Sequence, residues 1–161
     1  MEGTYALPEA QRDRFMARVS MGYPVKAAEI AMLASHTAAS PLHELSPVAD
    51  AAEVRRLIVA VGTVHVSEAV QRHAVGISDS TRTCRDLRLG ASPRATLHLV
   101  RAAKASAALD GRDFVIPDDL LTLAPHVLAH RLIPTVEAAA SGRGPREILA
   151  GLLSQVPIHR A

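Results

Sequence analysis

The sequence Gly90-Ala91-Ser92-Pro93-Arg94 contains two adjacent signals for the start of a helix. Ser92 is a good N-cap, and Pro93 suits the first helical position, where a backbone N–H would have no partner. The helix is predicted to run to about Leu109, before an Asp-Gly pair that ends it. Arg94 then lies in the first turn, where free N–H groups and the positive end of the helix dipole favour an anion. Because a guanidinium adds a planar fork for phosphate oxygens, the stretch predicts a helix start that faces phosphate.

The predicted helix has one basic side. At about 100° per residue, Arg94, His98 and Arg101 fall within a narrow arc, and aliphatic residues cover the rest of the helix. Residues 82–104 contain six basic side chains and one acidic one, although the formal charge of the whole chain is only +2. Such a patch attracts phosphate, nucleic acid or an acidic protein, and charge does not choose among them. The alternative is an ordinary bundle helix whose basic stripe faces water.

The composition is that of a globular protein with an aliphatic core. The 161 residues are 48% hydrophobic, which is enough for one sizeable core. Aromatic residues make up 2% and there is no tryptophan, which argues against a platform for stacking nucleic-acid bases. Cys84 is the single cysteine, so the chain can form neither an internal disulfide nor a multi-cysteine metal site. With no apolar run of membrane-spanning length and no export signal, these features predict a cytoplasmic protein.

Apolar residues repeat with helical spacing in five further segments, which predict five more helices. Ser67 is expected to cap the third helix of the bundle, and an acidic Pro-Asp-Asp sequence begins the helix after the basic one. Two prolines in residues 39–47 predict a long surface loop. The apolar positions are Ala27, Ile30, Ala31 and Ala34; Val54, Leu57, Ile58 and Val61; Val70, Ala74 and Ile77; Leu120, Leu123, Ala124, Val127 and Leu128; and Ile148, Leu149, Leu152 and Val156. The chain is therefore predicted to be an almost wholly helical bundle.

Little extended structure is predicted. A short helix that starts at a proline should end near Phe15, and residues 16–21 then have the pattern of a short strand. Residues 64–66 form an extended link, which we expect to pair with residues 113–116 as a minimal ribbon. These are the only strands that the sequence indicates.

Four motifs together resemble the C-terminal part of MoxR-type AAA+ ATPases. They are Gly90-Ala91-Ser92-Pro93-Arg94, the N-terminal sequence EGTYALPEAQRDRF over residues 2–15, GRDFVIPDD over residues 111–119, and VLAHRL over residues 127–132. The likeness covers nearly the whole chain. It implies an all-α fold in which residues 24–161 form the AAA+ helical lid bundle. Residues 1–23 would be a helix-strand remnant from the distal edge of the α/β core.

The resemblance also implies roles for two arginines. Arg94 matches the sensor-2 arginine, which reaches from the lid to the γ-phosphate of ATP bound in the same subunit. Arg14 matches the position of the arginine finger, which stabilises charge on the phosphoryl group transferred in a neighbouring subunit. For the intact protein the family implies ATP and Mg²⁺, a hexameric ring, and chaperone-like complex assembly or metal-cofactor insertion. A von Willebrand A-domain protein is the partner that the family suggests.

The chain lacks the sequences that bind ATP in such enzymes. It has no Gly-x-x-x-x-Gly-Lys-Ser/Thr P-loop and no hydrophobic strand that ends in an acidic pair for the metal. The chain alone is therefore expected to be inactive and to bind no nucleotide tightly, and its expected partner is the missing AAA+ core. Two departures from the family pattern lie in residues 2–15, the finger segment that contains Arg14. Ala6 replaces the usual proline, and Arg12 replaces an apolar residue and can compete with Arg14 for an anion.

Other candidate sites are less specific. His126 and His130 lie one helical turn apart, a spacing that can bind zinc, but no third ligand is evident and we predict no metal site. Cys84 has arginines on both sides, which favours reactivity, and its alternative is a small residue at the edge of the core. The alternative function for the whole chain is a freestanding basic helical adaptor that binds nucleic acid or an acidic protein through residues 82–104.

Overall fold

A computed structural model describes residues 7–35, 42 and 45–157. Helices dominate the described residues, which confirms the prediction of an all-α fold. In chain order the helices are α1 (Glu9–Arg12), α2 (Lys26–Ser35), α3 (Ala51–Thr63), α4 (Glu68–Thr83), α5 (Pro93–Leu109), α6 (Pro117–Val127), α7 (Val136–Ala140) and α8 (Pro145–Leu153). The strands are β1 (Leu87–Leu89) and β2 (Ile133–Pro134).

The chain divides into two compact units. The main unit contains the described residues up to Arg18 and those from Ala60 onward, and the smaller unit contains those from Val19 to Val59. The predicted domain boundary, between residues 23 and 24, concerns the parts of an AAA+ protein, which this division does not test. It stays a prediction.

Helix α5 begins where the sequence predicts. Ser92 is extended, and its hydroxyl accepts a hydrogen bond from the backbone N–H of Ala95 at 3.1 Å. The helix ends at Leu109, and Gly111 follows with φ of 73°, a conformation that suits glycine. The buried side of α5 carries residues four positions apart, Ala95, Leu99, Ala103 and Ala107. Because three of them are alanines, α4 and α6 can approach α5 closely.

The core of the main unit is aliphatic, as the composition predicts. Helix α8 packs against α4 and α6, so that four helices share this core. Ser67 caps α4 by accepting from the N–H of Val70, which confirms that prediction. The largest fully buried hydrophobic side chains are Ile77, Leu99, Leu120, Leu128, Leu149 and Val127.

Short extended segments pair at two places in the main unit. His65 and Phe114 form a parallel bridge. The N–H of His65 donates to the carbonyl oxygen of Asp113 at 2.7 Å, and the N–H of Val115 donates to the carbonyl oxygen of His65 at 3.0 Å. The predicted pairing of residues 64–66 with 113–116 is thereby confirmed. Strands β1 and β2 pair antiparallel, and the sequence did not indicate either one.

The predicted strand at residues 16–21 is wrong. These residues have no regular secondary structure and are exposed. The backbone N–H of Arg18 donates to the carbonyl of His126 near the end of α6 at 2.9 Å, so this segment meets a helix end and not a neighbouring strand. A run of alternating residues cannot form a strand without a partner that offers a row of backbone groups. The helix that precedes it, α1, is a single turn.

The smaller unit contains α2 and the first part of α3, both of which the sequence predicts. None of the residues of these two helices is buried, and their apolar residues are exposed, as Ile30 and Leu57 are at 59% and 62%. Most of the predicted loop at residues 39–47 lies outside the described residues, as does Ala6. No helix in the described ranges is long and apolar enough to cross a membrane.

Candidate functional site

Arg94 lies in the first turn of α5 with its side chain exposed to solvent. Among the residues that the structure describes, none forms a hydrogen bond or an ion pair with its guanidinium. The helix start that presents it is well capped, as Ser92 and the N–H of Ala95 show. Arg94 is therefore a positive group available to an anion.

The loop that leads into α5 is fastened to the end of α4. Arg82 Nε donates to the carbonyl oxygen of Ala91 at 2.8 Å, and the N–H of Ala91 donates to the hydroxyl of Thr81 at 2.8 Å. Thr81 is only 1% exposed, so water does not compete for the second bond. Both bonds fix the position at which α5 starts.

Gly90 allows this close approach. A Cβ placed on Gly90 would lie 2.7 Å from the Cα and N of Arg82 and 2.7 Å from the carbonyl carbon of Thr81. All three are backbone atoms, which cannot turn aside as a flexible side chain can. Any side chain at position 90 must therefore push the loop away from α4, and Arg94 would move with it.

A buried arginine joins the N-terminal segment to the end of α6. The side chain of Arg131 is only 3% exposed, and its Nε donates to Asp13 Oδ1 at 3.0 Å. Its Nη2 donates to the carbonyl oxygens of Asp13 at 3.1 Å and Phe15 at 2.5 Å. Its Nη1 donates to the carbonyl oxygens of Met16, at 3.3 Å, and Val127. One carboxylate and four carbonyl oxygens thus compensate the buried positive charge.

The carboxylate of Asp13 also reaches the start of α5. The hydroxyl of Ser92 donates to Asp13 Oδ1 at 2.8 Å, while the same hydroxyl accepts from the N–H of Ala95. One oxygen atom therefore accepts from both Ser92 and Arg131. We name Asp13, Ser92, His98 and Arg131 the Asp13–Arg131 cluster.

His98 is the fourth member of this cluster. Its Nδ1 lies 2.7 Å from Nη2 of Arg131, and because a guanidinium can only donate, this contact requires an unprotonated Nδ1. Burial, followed by the charges of Arg131 and Arg101, lowers the pKa of His98, while Asp13 acts in the opposite direction. The imidazole is thus held neutral at the position one turn after Arg94.

Arg14 lies just after α1 and is exposed. Its backbone N–H donates to the carbonyl oxygen of Gln11 at 3.1 Å, and within the described parts of the chain its guanidinium has no hydrogen bond or ion pair. Its neighbours Asp13 and Phe15 both accept from Arg131. The structure thus places Arg14 and Arg94 on two segments that the Asp13–Arg131 cluster connects. Arg12 differs from Arg14, because it is half-buried and its Nε is enclosed without a hydrogen-bond partner among the described residues.

Sequence reasoning missed the role of Arg131. Arg131 lies in the motif at residues 127–132, and Asp13 lies in the Asp-Arg-Phe motif, so both belong to motifs that carry the family resemblance. Arginine is normally exposed, however, and nothing local marks a buried one. Its partner Asp13 is close only after folding.

Of the two histidines at residues 126 and 130, His130 contacts the N-terminal segment. His130 Nε2 lies 3.2 Å from the carbonyl oxygen of Phe15. Burial, and then the charge of Arg131, lowers the pKa of His130. No three His, Cys, Asp or Glu side chains are grouped to hold a metal ion in the described ranges. Cys84 is half-buried against the core, as the alternative of a residue at its edge predicts.

Half of the basic side chains in residues 82–104 have partners inside the main unit. Arg82 donates to Ala91, Arg88 pairs with Glu9 at 2.8 Å, and Lys104 Nζ donates to the carbonyl oxygen of Gly62 at 2.8 Å. The other three are Arg85, Arg94 and Arg101, which are exposed. Of the three partners, only Glu9 carries a negative charge, so the bonds restrain the side chains of Arg82 and Lys104 but leave their positive charges in place.

Comparison with known proteins gives a consistent family. Residues 79–150 match the AAA lid domain family. The chain is 38% identical to the uncharacterized protein YeaC of Bacillus subtilis (strain 168) over 162 residues, which cover 99% of this chain and 51% of YeaC. It is 32% identical to the chaperone MoxR1 of Mycobacterium tuberculosis over 166 residues, which cover 98% of this chain and 44% of MoxR1.

A solved structure agrees with these relatives. The crystal structure of a candidate ATPase from Cytophaga hutchinsonii superposes with a TM-score of 0.89 at 30% identity, and the match covers 99% of this chain and 51% of that one. The chain spans about half the length of the curated relatives it matches. It is therefore homologous, over nearly all of its length, to the C-terminal portion of MoxR-family AAA+ ATPases, and it contains their lid domain.

Proposed function

We propose that this chain is the lid portion of an ATP-hydrolysing MoxR-type assembly and that it couples the state of the nucleotide to the position of the lid. The observation that carries this proposal is the exposed guanidinium of Arg94 at the capped start of α5. A fixed arginine beside a helix N-terminus is suited to a phosphate group. In this role Arg94 contacts the γ-phosphate of ATP in the same subunit.

Arg14 supplies the second contact in the proposal. It is exposed, and Arg131 fixes the residues on either side of it. As an arginine finger it stabilises the charge that develops on the γ-phosphoryl group bound to a neighbouring subunit, an effect of about 10³–10⁵ in rate in other NTPases. This role requires a ring of subunits, for which we propose a hexamer.

ATP and Mg²⁺ fit this chain only in part. Two exposed guanidinium groups suit the phosphates, but the chain has no P-loop to cradle them. The P-loop and the acidic residues that bind the metal must come from an AAA+ core, on the same polypeptide or on another. We further propose that the assembly is cytoplasmic, that it acts as a chaperone in complex assembly or metal-cofactor insertion, and that a von Willebrand A-domain protein is its partner.

The lid is a better interpretation than the basic adaptor. An adaptor that uses residues 82–104 needs their side chains free to reach a partner, whereas Arg82, Arg88 and Lys104 are bonded to acceptors within the main unit. Binding to a phosphate backbone would also weaken steeply as the salt concentration rises. A salt titration of nucleic-acid binding therefore tests the adaptor directly.

The test of the proposed function is Arg94→Ala in the ATP-hydrolysing assembly. Loss of one charge-assisted hydrogen bond is worth roughly 1.5–3 kcal/mol, so kcat should fall about 10- to 150-fold while nucleotide still binds to the P-loop. Arg101→Ala is the matched control, because Arg101 is exposed on the same side of α5 but lies two turns further along. This control should leave kcat close to that of the wild type. Wild-type turnover in a folded, nucleotide-bound Arg94→Ala protein would refute the proposal.

A further inference from the structure

We propose that Asp13 and Arg131 are positioning residues that hold Arg14 and Arg94 at a fixed separation. The segment of Arg14 and the start of α5 then move as one rigid element. A shift of the lid that follows the γ-phosphate in one subunit is thereby passed to the finger that serves the next subunit. The inference rests on the proposed function of the two arginines.

Arg131 binds the segment on both sides of Arg14 through many hydrogen bonds. A guanidinium has five N–H groups, and six acceptor atoms lie within hydrogen-bond distance of Nε, Nη1 and Nη2 of Arg131, so an N–H of Nη2 is shared between two acceptors. Four of the accepting atoms lie on residues 13–16, namely Asp13 Oδ1 and the carbonyl oxygens of Asp13, Phe15 and Met16. They lie on both sides of Arg14 in the sequence. One side chain therefore shapes the backbone that carries the finger.

Residues 13–18 form neither a helix nor a strand, so no regular ladder of backbone bonds holds them. Irregular backbone is held in one conformation only where other groups bind its carbonyl and N–H groups. Side chains bind the carbonyl oxygens of the segment at residues 13–18: Arg131 binds three of them, and His130 also contacts that of Phe15. The N–H groups of this segment donate instead to backbone carbonyl oxygens, in turns for residues 13–15 and to His126 for Arg18.

The same cluster also binds α5. Asp13 Oδ1 accepts from Ser92, the N-cap, and Nη2 of Arg131 contacts His98 in the second turn. Arg94 lies between these two residues on the helix. The cluster therefore holds α5 on both sides of Arg94 and holds the finger segment on both sides of Arg14.

An arginine at position 131 supplies what neither an apolar residue nor a lysine can. A buried ion pair is often no more stabilising than apolar side chains of the same volume, so stability alone does not explain an arginine that is 3% exposed. An apolar residue cannot bind four oxygen atoms in fixed directions. A lysine cannot do so either, because its ammonium is a point charge with three donors. The guanidinium supplies direction, which positioning requires.

The experiment measures position without catalysis. Cys84→Ser removes the native cysteine, and nitroxide labels are then attached to the purified chain at Arg14→Cys and Leu109→Cys. Pulsed electron–electron double resonance gives the distribution of distances between the two labels. Leu109 is 88% exposed and lies at the far end of α5, which spans about 25 Å at 1.5 Å per residue. The unchanged cluster should give one narrow distribution, and Asp13→Asn and Arg131→Lys should each broaden it.

A matched control separates positioning from stability. Asp119→Asn weakens another ion pair of the main unit, between Asp119 and Arg112, which lies outside the Asp13–Arg131 cluster. It should lower stability and leave the distribution narrow. If Arg131→Ala does not fold, Asp13→Asn retains the shape of the side chain and keeps the test possible. A narrow distribution in folded Asp13→Asn and Arg131→Lys would overturn the inference.

The second arm measures hydrolysis in the assembly. Asp13→Asn should lower kcat by about 100-fold, the scale of a displacement of 1 Å at a reacting centre, with little change in KM for ATP. In an Arg14→Ala, Arg94→Ala background the same substitution should have no further effect, because Asp13 acts only through those arginines. Wild-type kcat in Asp13→Asn, or a full additional loss in that background, would overturn the inference.

The two proposals fail in different ways. If the distribution broadens but Arg14→Ala and Arg94→Ala retain wild-type turnover, the proposed function is refuted and the inferred geometry is supported. If both arginine variants lose activity while Asp13→Asn does not, the function is supported and the inference is refuted.

Discussion

The smaller unit and the main unit have helices with the same apolar spacing and opposite burial. Leu99 of α5 is 0% exposed, whereas Ile58 of α3 is 66% exposed. In the main unit four helices cover one another, but the described part of α2 and α3 has no buried residue. Burial supplies most of the stability of a protein helix, and spacing alone supplies little. The two units should therefore differ greatly in stability.

The largest expected difference is in amide hydrogen exchange of the purified chain. Amides in the middle of α5 should exchange only on global unfolding, with protection of about 10³ or more. Amides of α2 should be protected about 10-fold or less, because a helix of 10 residues without burial is marginal in water. Exchange monitored by NMR measures both in one sample. Equal protection of the two helices would show that the two units do not differ in stability.

A second test removes a core side chain. Leu99→Ala should lower the free energy of unfolding by about 2–5 kcal/mol, because it leaves a cavity among α4, α5 and α6. Leu97→Ala is the control on the same helix, where a side chain that is 59% exposed should cost less than about 0.5 kcal/mol. Urea unfolding followed by circular dichroism measures both. Similar losses in the two variants would contradict the assigned faces of α5.

The third test uses the ion pairs of the two units. Asp119 is 6% exposed, and Arg112 donates to its carboxylate at 2.7 and 2.9 Å. These bonds lower the pKa of Asp119 from its ordinary value of 3.8. A lowered pKa in the folded state contributes stability that is present above pH 3.8 and is lost as the pH falls through the folded value. Thermal unfolding should show this loss.

Two variants sharpen this third test. Asp119→Asn should reduce the loss of stability in acid and lower the melting temperature at pH 7 by about 5 °C. Glu53→Gln in the smaller unit should shift it by less than about 2 °C, since Glu53 and its partner Arg56 are exposed and lie 3.8 Å apart. A loss of stability in acid that is as large in Asp119→Asn as in the wild type would assign this dependence to other carboxylates.

Local chemistry explains what the sequence could predict. The starts of α4 and α5 follow from Ser67 and Ser92, whose hydroxyls bind backbone N–H groups three positions ahead. The helical spacing of apolar residues predicted α2, α3, α6 and α8. Each of these signals lies within a few residues of the structure that it predicts.

Long-range contacts explain what the sequence could not predict. The pairing of β1 with β2 joins three residues to two, which is too short for a pattern. The bond from Arg131 to Asp13 joins residues that are far apart in the chain, and neither shows its burial locally. The strand predicted at residues 16–21 failed in the same way, because alternation does not reveal whether a partner strand exists.

The smallest effect is expected for Ile58→Ala in α3. Its side chain is 66% exposed, so shortening it removes little buried surface and leaves no cavity. Alanine also has the higher helix propensity, by a few tenths of a kcal/mol. The free energy of unfolding should therefore stay within about 0.5 kcal/mol of the wild type, measured by urea unfolding at two protein concentrations. A loss of about 2 kcal/mol or more, the scale expected for Leu99→Ala, would mean that this face of α3 is covered in solution. If that loss grew with concentration, another copy of the chain would be the cover, and the contrast between the two units would hold only for the monomer.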